Sequence, residues 1–321
     1  MASMDLSVII VNWNSKHYLK KCIESISNSK SEINFEIIVI DSGSFDGCDA
    51  IVKQFPSVRF IQSKKNVGFA RANNEAFNIS AGRNILFLNP DTEIVAGAID
   101  VLFNAIEARP DAGVVGPKIL NSNGTIQTSC VRAFPNILNQ ILDTEILMTR
   151  FSSSKLWGMT PRLEKMAMIS SVEAISGACL MVKRTIFKNV GLFSVEYFMY
   201  SEDIDLCYKI KKAGWNIYYV PDALIVHHGG GSSEQNKISE FANVMMVESR
   251  WRYFRKSRSV LYGRTYRFTM FSMSIFRIVI ILLIWPILRI QGKHDRLYGS
   301  LKKWKARLRW TIGFENWVKN Y

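Results

Sequence analysis

The chain has 321 residues, 48% hydrophobic and 21% charged, so it can bury a sizeable core and is too apolar for wholesale disorder. The formal charge of +14 is uneven: 17 of the 41 Lys and Arg, but only two of the 27 Asp and Glu, fall from Arg250 onward, leaving 24 basic and 25 acidic residues before it. Basicity confined to a tail argues against a nucleic-acid-binding body. Five scattered cysteines without a C-x-x-C pair argue against a zinc site or disulfide framework and fit reduced thiols in a cytosolic body.

The opening "MASMDLSVIIVNW" has no basic stretch before its apolar run, so no export signal is expected. "LSVIIVN" (6–12) reads as a β-branched strand, and "NSKHYLKKCIESISNS" places Tyr18, Leu19, Cys22, Ile23 and Ile26 at helical spacing. "FEIIVIDSGSFDGC" is a strand and loop, "DAIVKQF" a helix, and "VRFIQSKKNVGF" a strand and loop. "ARANNEAFNIS" is a helix that leads to the strand "NILFLNP". Strands alternating with helices imply βαβ units and a mostly parallel sheet, and unbroken apolar runs imply strands buried on both faces. The first 120 or so residues therefore form a doubly wound α/β half. Residues 121–170, rich in Ser and Thr with Pro135 and Pro161, read as a loop-rich insertion with short helices. Beyond it come the strand in "ISGACLMVKRTIFKNVGLF", a helix from about Glu202 to Ala213, and one or two strands ending in "ALIVHHGGGSS".

In open α/β sheets a ligand sits outside the carboxyl ends of the strands. The predicted strand ends carry Asn12 to Asn14, Asp41, Asn66 to Gly68 and Asn89 to Asp91, which should converge on one crevice. Each alone is an ordinary turn residue or helix cap; together they suggest a site. Neither G-x-G-x-x-G nor G-x-x-x-x-G-K-[ST] is present, so no backbone cradle for phosphate is visible. An anionic ligand would instead need a divalent cation, with Asp91 its natural carboxylate. Glu202, Asp203 and Asp205 open a predicted helix, where acids suit the macrodipole but where one could also face the sheet edge as a general base. The histidines ending "ALIVHH", beside a glycine-rich loop, suit a metal or phosphate contact. Trp13, Trp157, Tyr197 and Phe198 are candidate ligand-stacking surfaces or core residues.

In order along residues 5–235, "SVIIVNWN", "IIVIDSGSFDG", "NVGFARANNEAF", "LFLNPDTEI", "ISGACLMVKRTIF", "GLFSVEYFMYSEDIDLCYKIKKAGW" and "VHHGGGS" resemble the family 2 glycosyltransferases of GT-A fold, within them the rhamnosyltransferase-like branch. The resemblance implies a metal-dependent inverting glycosyltransferase using Mg2+ or Mn2+. The donor would be a nucleotide-diphosphate sugar (dTDP-rhamnose favoured, a UDP-sugar possible), and the acceptor a hydroxyl on a glycan or lipid-linked glycan of surface polysaccharide assembly. It implies that Asp41 reads the nucleotide base and that Asn12, Asn14, Asn66, Gly68, Arg71, Asn74 and Asn89 line the donor. Asn89 stands where the family's D-x-D element has its first acid, leaving Asp91 on the metal. His227 matches a further metal or diphosphate ligand, with His228 the alternative. Asp203 matches the catalytic base, with Glu202 beside it. The competing readings are a non-catalytic nucleotide-sugar-binding module and a nucleotidyltransferase on a related fold.

The resemblance divides the chain into a catalytic domain over 1–245 and a basic, aromatic-rich helical region over 246–321. "RWRYFRKSRSVLYGRTYR" (250–267) precedes the apolar "FTMFSMSIFRIVIILLIWPIL" (268–288), which Arg277 and Pro286 interrupt; "LKKWKARLRW" follows. A mid-membrane arginine costs roughly 2.5–3.5 kcal/mol. The segment therefore reads as a helix lying in or dipping into the cytoplasmic leaflet, its cations across 250–310 on an anionic membrane surface. A single crossing, or packing onto the catalytic domain, is the alternative.

Overall fold

The apolar runs become the strands. The computed structural model describes residues 4–95, 97–142, 163, 166–229, 240–290 and 294–321. In chain order these form β1 (Leu6–Asn12), α1 (Lys16–Ser27), β2 (Phe35–Asp41), α2 (Cys48–Val52), β3 (Val58–Gln62), α3 (Phe69–Ile79), β4 (Asn84–Leu88), β5 (Thr92–Ile94), α4 (Ala98–Glu107) and β6 (Ala112–Leu120). Then come β7 (Val131–Arg132), α5 (Ile137–Leu142), β8 (Ser170–Ser171), β9 (Ala174–Ile175), β10 (Cys179–Lys183), α6 (Arg184–Asn189), α7 (Glu202–Lys212) and β11 (Asn216–His227). Three long helices close the chain: α8 (Glu240–Ser257), α9 (Val260–Ile290) and α10 (His294–Thr311).

The main sheet runs β3-β2-β1-β4-β10-β6-β11-β5, with β8 beside β11. β3, β2, β1 and β4 are parallel; β10 enters antiparallel between β4 and β6. This is the expected mostly parallel α/β sheet. Every residue of β1 and β4 is buried, as strands covered on both faces must be.

Two expectations shift in detail. The helix drawn over "DAIVKQF" ends at Val52, since Phe55 precedes Pro56 and a residue before proline avoids the helical region. The one or two strands after Trp215 are a single 12-residue β11, whose pairing with β6 slips between Val220 and Leu224. Pro221 falls in that slip, where a missing N–H is tolerated.

α8, α9 and α10 build a second core around Val244, Met245, Tyr253, Phe254, Tyr266, Met270, Ala306 and Trp310, which reaches the body through Tyr197 and Ile204. Val260–Pro286 is long and apolar enough to cross a membrane by length and composition. Its two faces differ. Tyr266, Met270, Ser274 and Ile281 are buried against the protein, whereas Leu261, Phe268, Phe276, Val279, Leu282 and Leu283 are exposed.

Candidate active site

Strand register builds the crevice. Asn12 pairs with Asp41 across β1 and β2, and Asp41 with Gln62 across β2 and β3, so three polar side chains stand abreast at the carboxyl edge. Asn12 donates to Asp41 at 2.9 Å and Gln62 donates to it at 2.6 Å. The Ser44 hydroxyl and the backbone N–H groups of Ser44 and Phe45 donate as well. Burial alone would raise the Asp41 pKa, but the donors from Ser44, Gln62, Asn12 and Phe45 outweigh it and hold the carboxyl below its usual range. Asp41 and Asp46 also approach Cys48 closely enough to suggest a metal cluster. Burial raises the Cys48 thiol far above its usual value, and the oxygens of Asp41 already accept from these donors, so this group is better read as a fixed hydrogen-bonded floor.

Above that floor lies a cavity of about 480 Å³ lined by Trp13, Ser42, Asn66, Gly68, Asn89, Asp91, Phe198 and Phe241, among others. Gly68 permits the shape: at φ +80°, an added Cβ would lie 2.4 Å from the Phe198 carbonyl oxygen. Asn66 accepts from the Gly68 N–H at 2.9 Å and from Ser42 Oγ at 3.2 Å, which fixes the loop before α3.

Asp91 follows β4 and precedes β5, which pairs antiparallel with the end of β11 so that Thr92 faces His227. The His228 N–H donates to the Asp91 carbonyl, and the His227 side chain comes to lie against Asp91 and Asn89. His227 Nε2 is 3.2 Å from Asp91 Oδ1 and 3.4 Å from Asn89 Nδ2; its Nδ1 is 2.9 Å from Gln127 Oε1. With Nδ1 engaged by Gln127, the ring is held so that Nε2 and a carboxylate oxygen converge, as two ligands of a shared cation would. His228 instead engages Glu93 at 2.7 Å and Ser122 at 2.8 Å through its two nitrogens. Of the two histidines left open by the sequence, the geometry singles out His227 as Asp91's neighbour.

Asp203, at the head of α7, connects to the crevice through Gly177, whose neighbour Ala178 accepts the Asn89 N–H. Tyr200 and Ser201 both have φ +67°, a left-handed pair rare outside functional turns, and the helix starts at once after them. Asp203 Oδ2 accepts the Gly177 N–H at 3.0 Å and lies 3.5 Å from Arg132 Nη1. Gly177 packs closely on this side chain: a Cβ there would lie 3.2 Å from the Asp203 Cβ. Glu202 is buried beside Asp203; burial first, and then the Asp203 charge, push its carboxyl up to about 8. Asp205 is structural: Ser194, Tyr197 and Lys256 bind it, tying α7 to α8.

Of the residues singled out in the sequence, Asn66, Gly68, Asn89 and Asp91 line one cavity, His227 lies against Asp91, and Asn12 and Asp41 stand beneath; Glu202 and Asp203, at the head of α7, do not line it. Three residues fall elsewhere. Asn14 and Arg71 are exposed and do not line the cavity, and Asn74 spends both ends of its amide on the Phe193 backbone. Trp13 and Phe198 line the cavity while Tyr197 is buried core; Trp157 and Gly230 and Gly231 lie outside the described residues. Missed were Gln62, legible from its strand-end register, and Gln127 and Arg132, which sit in a stretch without periodicity and gave no signal.

A family model described as Glycosyl transferase family 2 matches residues 7–191. N-acetylglucosaminyl-diphospho-decaprenol L-rhamnosyltransferase of Mycobacterium tuberculosis (strain ATCC 25618 / H37Rv) is 31% identical over 250 residues, 74% of this chain and 80% of that protein. Rhamnosyltransferase WbbL of Escherichia coli (strain K12) is 26% identical over 260 residues, 78% and 93% of the two chains. Mannosyltransferase PcManGT from Pyrobaculum calidifontis, solved with GDP-Man and Mn2+, superposes with TM-score 0.58 at 18% identity, covering 99% of this chain and 89% of that one. GalNAc-T7 with UDP, GalNAc and Mn2+ gives 0.55 at 16% identity over 81% of this chain and 52% of that one. These structures share the GT-A fold with the chain.

Proposed function

The chain belongs to glycosyl transferase family 2 and is a glycosyltransferase, and from this premise we propose that it transfers a sugar with inversion from a nucleotide-diphosphate donor to a lipid-linked glycan acceptor. dTDP-rhamnose is the favoured donor, because relatives named rhamnosyltransferases match most of the chain. The carrying observation is the position of Asp203, buried at the head of α7 with one oxygen fixed by Arg132 and by the N–H of Gly177, whose neighbour Ala178 accepts from the Asn89 N–H at the crevice.

The roles divide by environment. Asp203 receives the proton of the acceptor hydroxyl, whose oxygen then attacks the anomeric carbon on the face opposite the diphosphate. A single displacement without an enzyme nucleophile inverts that carbon, as in inverting hydrolases with an alcohol replacing water. Glu202, with its carboxyl pushed up to about 8, stays protonated at neutral pH and so spares Asp203 a second adjacent charge. Asp91 and His227 fit a divalent cation, Mg2+ or Mn2+: a hard carboxylate oxygen and an imidazole nitrogen face each other at 3.2 Å, and Gln127 fixes the ring. When bound, such a cation supplies positive charge to the departing diphosphate. Ser42, Asn66 and Asn89 orient the donor, and Phe198 and Phe241 exclude water.

The exposed apolar face of α9 supports work at the cytoplasmic face of a membrane, with that helix lying in the interface. Asp203→Asn is the direct test. It should lower kcat about 10²- to 10⁴-fold in a radiolabelled-sugar transfer assay while leaving binding of dTDP or UDP with Mn2+ intact by calorimetry. Transfer at the wild-type rate would refute the assignment.

A further inference from the structure

Beside the strand-end crevice lies a second cavity, of about 300 Å³, between the body and the C-terminal helices. Tyr200, Ser201 and Ile204 line it, whereas Phe198 and Met199 line the crevice. The segment bearing Glu202 and Asp203 therefore forms the partition between the two spaces. Five cations line this second cavity: Arg132, Arg250, Arg277, Lys303 and Arg307. No acid lines it among the described residues. Arg132 is the group that also stands 3.5 Å from Asp203.

Gathering like charges around one space is costly where opposite charge does not offset them; Arg132 has Asp203 at 3.5 Å, which leaves the question to Arg250 and Arg277. Burial depresses the Arg250 guanidinium, with Arg132 pushing the same way against Tyr266 and Asp203. Nη1 of Arg250 and Nε of Arg277 are buried without a hydrogen-bond partner among the described residues. Buried donors of this kind are normally satisfied, and each is costly when it is not. Trp304 holds two of the cations in place, with Arg307 at 4.8 Å and Arg277 at 5.8 Å from its ring centre. Several convergent guanidinium groups match the multiple oxygens of a phosphate or diphosphate better than a single carboxylate.

We propose that this cavity binds the diphosphate that links the acceptor sugar to its lipid, a reading that rests on the lipid-linked acceptor proposed above. The placement fits in two ways. An anion seated among these cations presents its attached sugar across the 200–204 partition, next to Asp203 and the reacting end of the donor. The lipid beyond the diphosphate lies near α9, which contributes Arg277, Tyr266 and Met270 to the cavity and turns its apolar residues outward. Arg132 then touches both the anion and the base, so acceptor binding and the charge around Asp203 are linked.

Calorimetric titration of the full chain with inorganic diphosphate, in EDTA to suppress metal-assisted binding at Asp91, reads the site directly. Wild type should bind one equivalent. Arg250→Gln and Arg307→Gln should each weaken binding about 10- to 100-fold, the loss of one charged hydrogen bond or more, with dTDP binding in Mn2+ unchanged as proof of an intact fold. Lys303→Gln, on α10, provides a second test if either arginine variant fails to fold. Wild-type diphosphate affinity in these variants, or no diphosphate binding by wild type, would overturn the proposal. Phosphatidylcholine vesicles doped with a polyprenyl-diphosphate sugar, or with phosphatidylglycerol, separate the two sources of phosphate. A variant effect confined to the first supports the acceptor site; equal effects on both assign the cavity to a membrane headgroup and sink it. If the transferase reading itself were wrong, dTDP and UDP binding would be absent while diphosphate binding persisted.

Discussion

The strand-end crevice and the cationic cavity lie on opposite sides of one short segment, yet they are assembled in different ways. The crevice is placed by backbone: parallel register sets Asn12, Asp41 and Gln62 abreast, and the β5–β11 ladder brings His227 to Asp91. The cavity is placed by side-chain packing, from β7, the turn before α7, α8, α9 and α10. Hydrogen-bond ladders fix position residue by residue, whereas helix packing fixes faces, so the two sites should respond differently to substitution.

The most disruptive single change should fall on the crevice wall. Gly68→Ala forces a side chain against the Phe198 carbonyl at positive φ, and should destabilise the fold by roughly 4 kcal/mol in urea unfolding. Nucleotide binding should be lost with it; a variant of normal stability would show that the wall yields and would erase the contrast with the cavity.

Glu202→Gln probes the partition. The folded chain keeps Glu202 protonated to about 8, whereas an unfolded glutamate ionises near about 4.3. Between those values the folded state holds the extra proton, so wild-type stability falls as pH rises through this window and levels off above it. The glutamine variant escapes that fall and should exceed wild type by several kcal/mol at pH 8, with little difference at pH 4. Parallel pH curves for the two proteins would place Glu202 in contact with solvent.

Gln127→Leu removes the partner of His227 Nδ1 and should weaken Mn2+-dependent nucleotide binding about 10- to 100-fold, measured by calorimetry. An unchanged affinity would mean that backbone register alone suffices to orient the ring. The smallest effect belongs to the outer face of α9. Leu283→Ser should reduce partition onto anionic vesicles by about 1 kcal/mol, roughly fivefold, if that residue is half-immersed. No change in flotation would take the helix out of the interface.

Charge shows where reading the sequence falls short. Composition alone sets the cations of 250–310 on anionic lipid, but part of the basic tail is used internally. Arg250, Arg277, Lys303 and Arg307 face the cavity, Arg252 pairs with Glu248 at 2.8 Å, and Lys256 with Asp205 at 3.2 Å. Arg277, a liability in an apolar helix, is accommodated because it turns toward Trp304 instead of lipid.

The sequence by itself determined the alternating elements, the buried strands and the polar residues at strand ends, because apolar periodicity and strand-to-loop boundaries are local properties. It also carried the acids of "SEDID" to the head of a helix. Only the tertiary structure decided that His227 and not His228 meets Asp91, that Asn74 serves the backbone of Phe193, and that Gln127 and Arg132 come from an aperiodic stretch to the site. Those outcomes depend on which distant segments pack together, and a contact between residues a hundred positions apart leaves no trace in the spacing on either side.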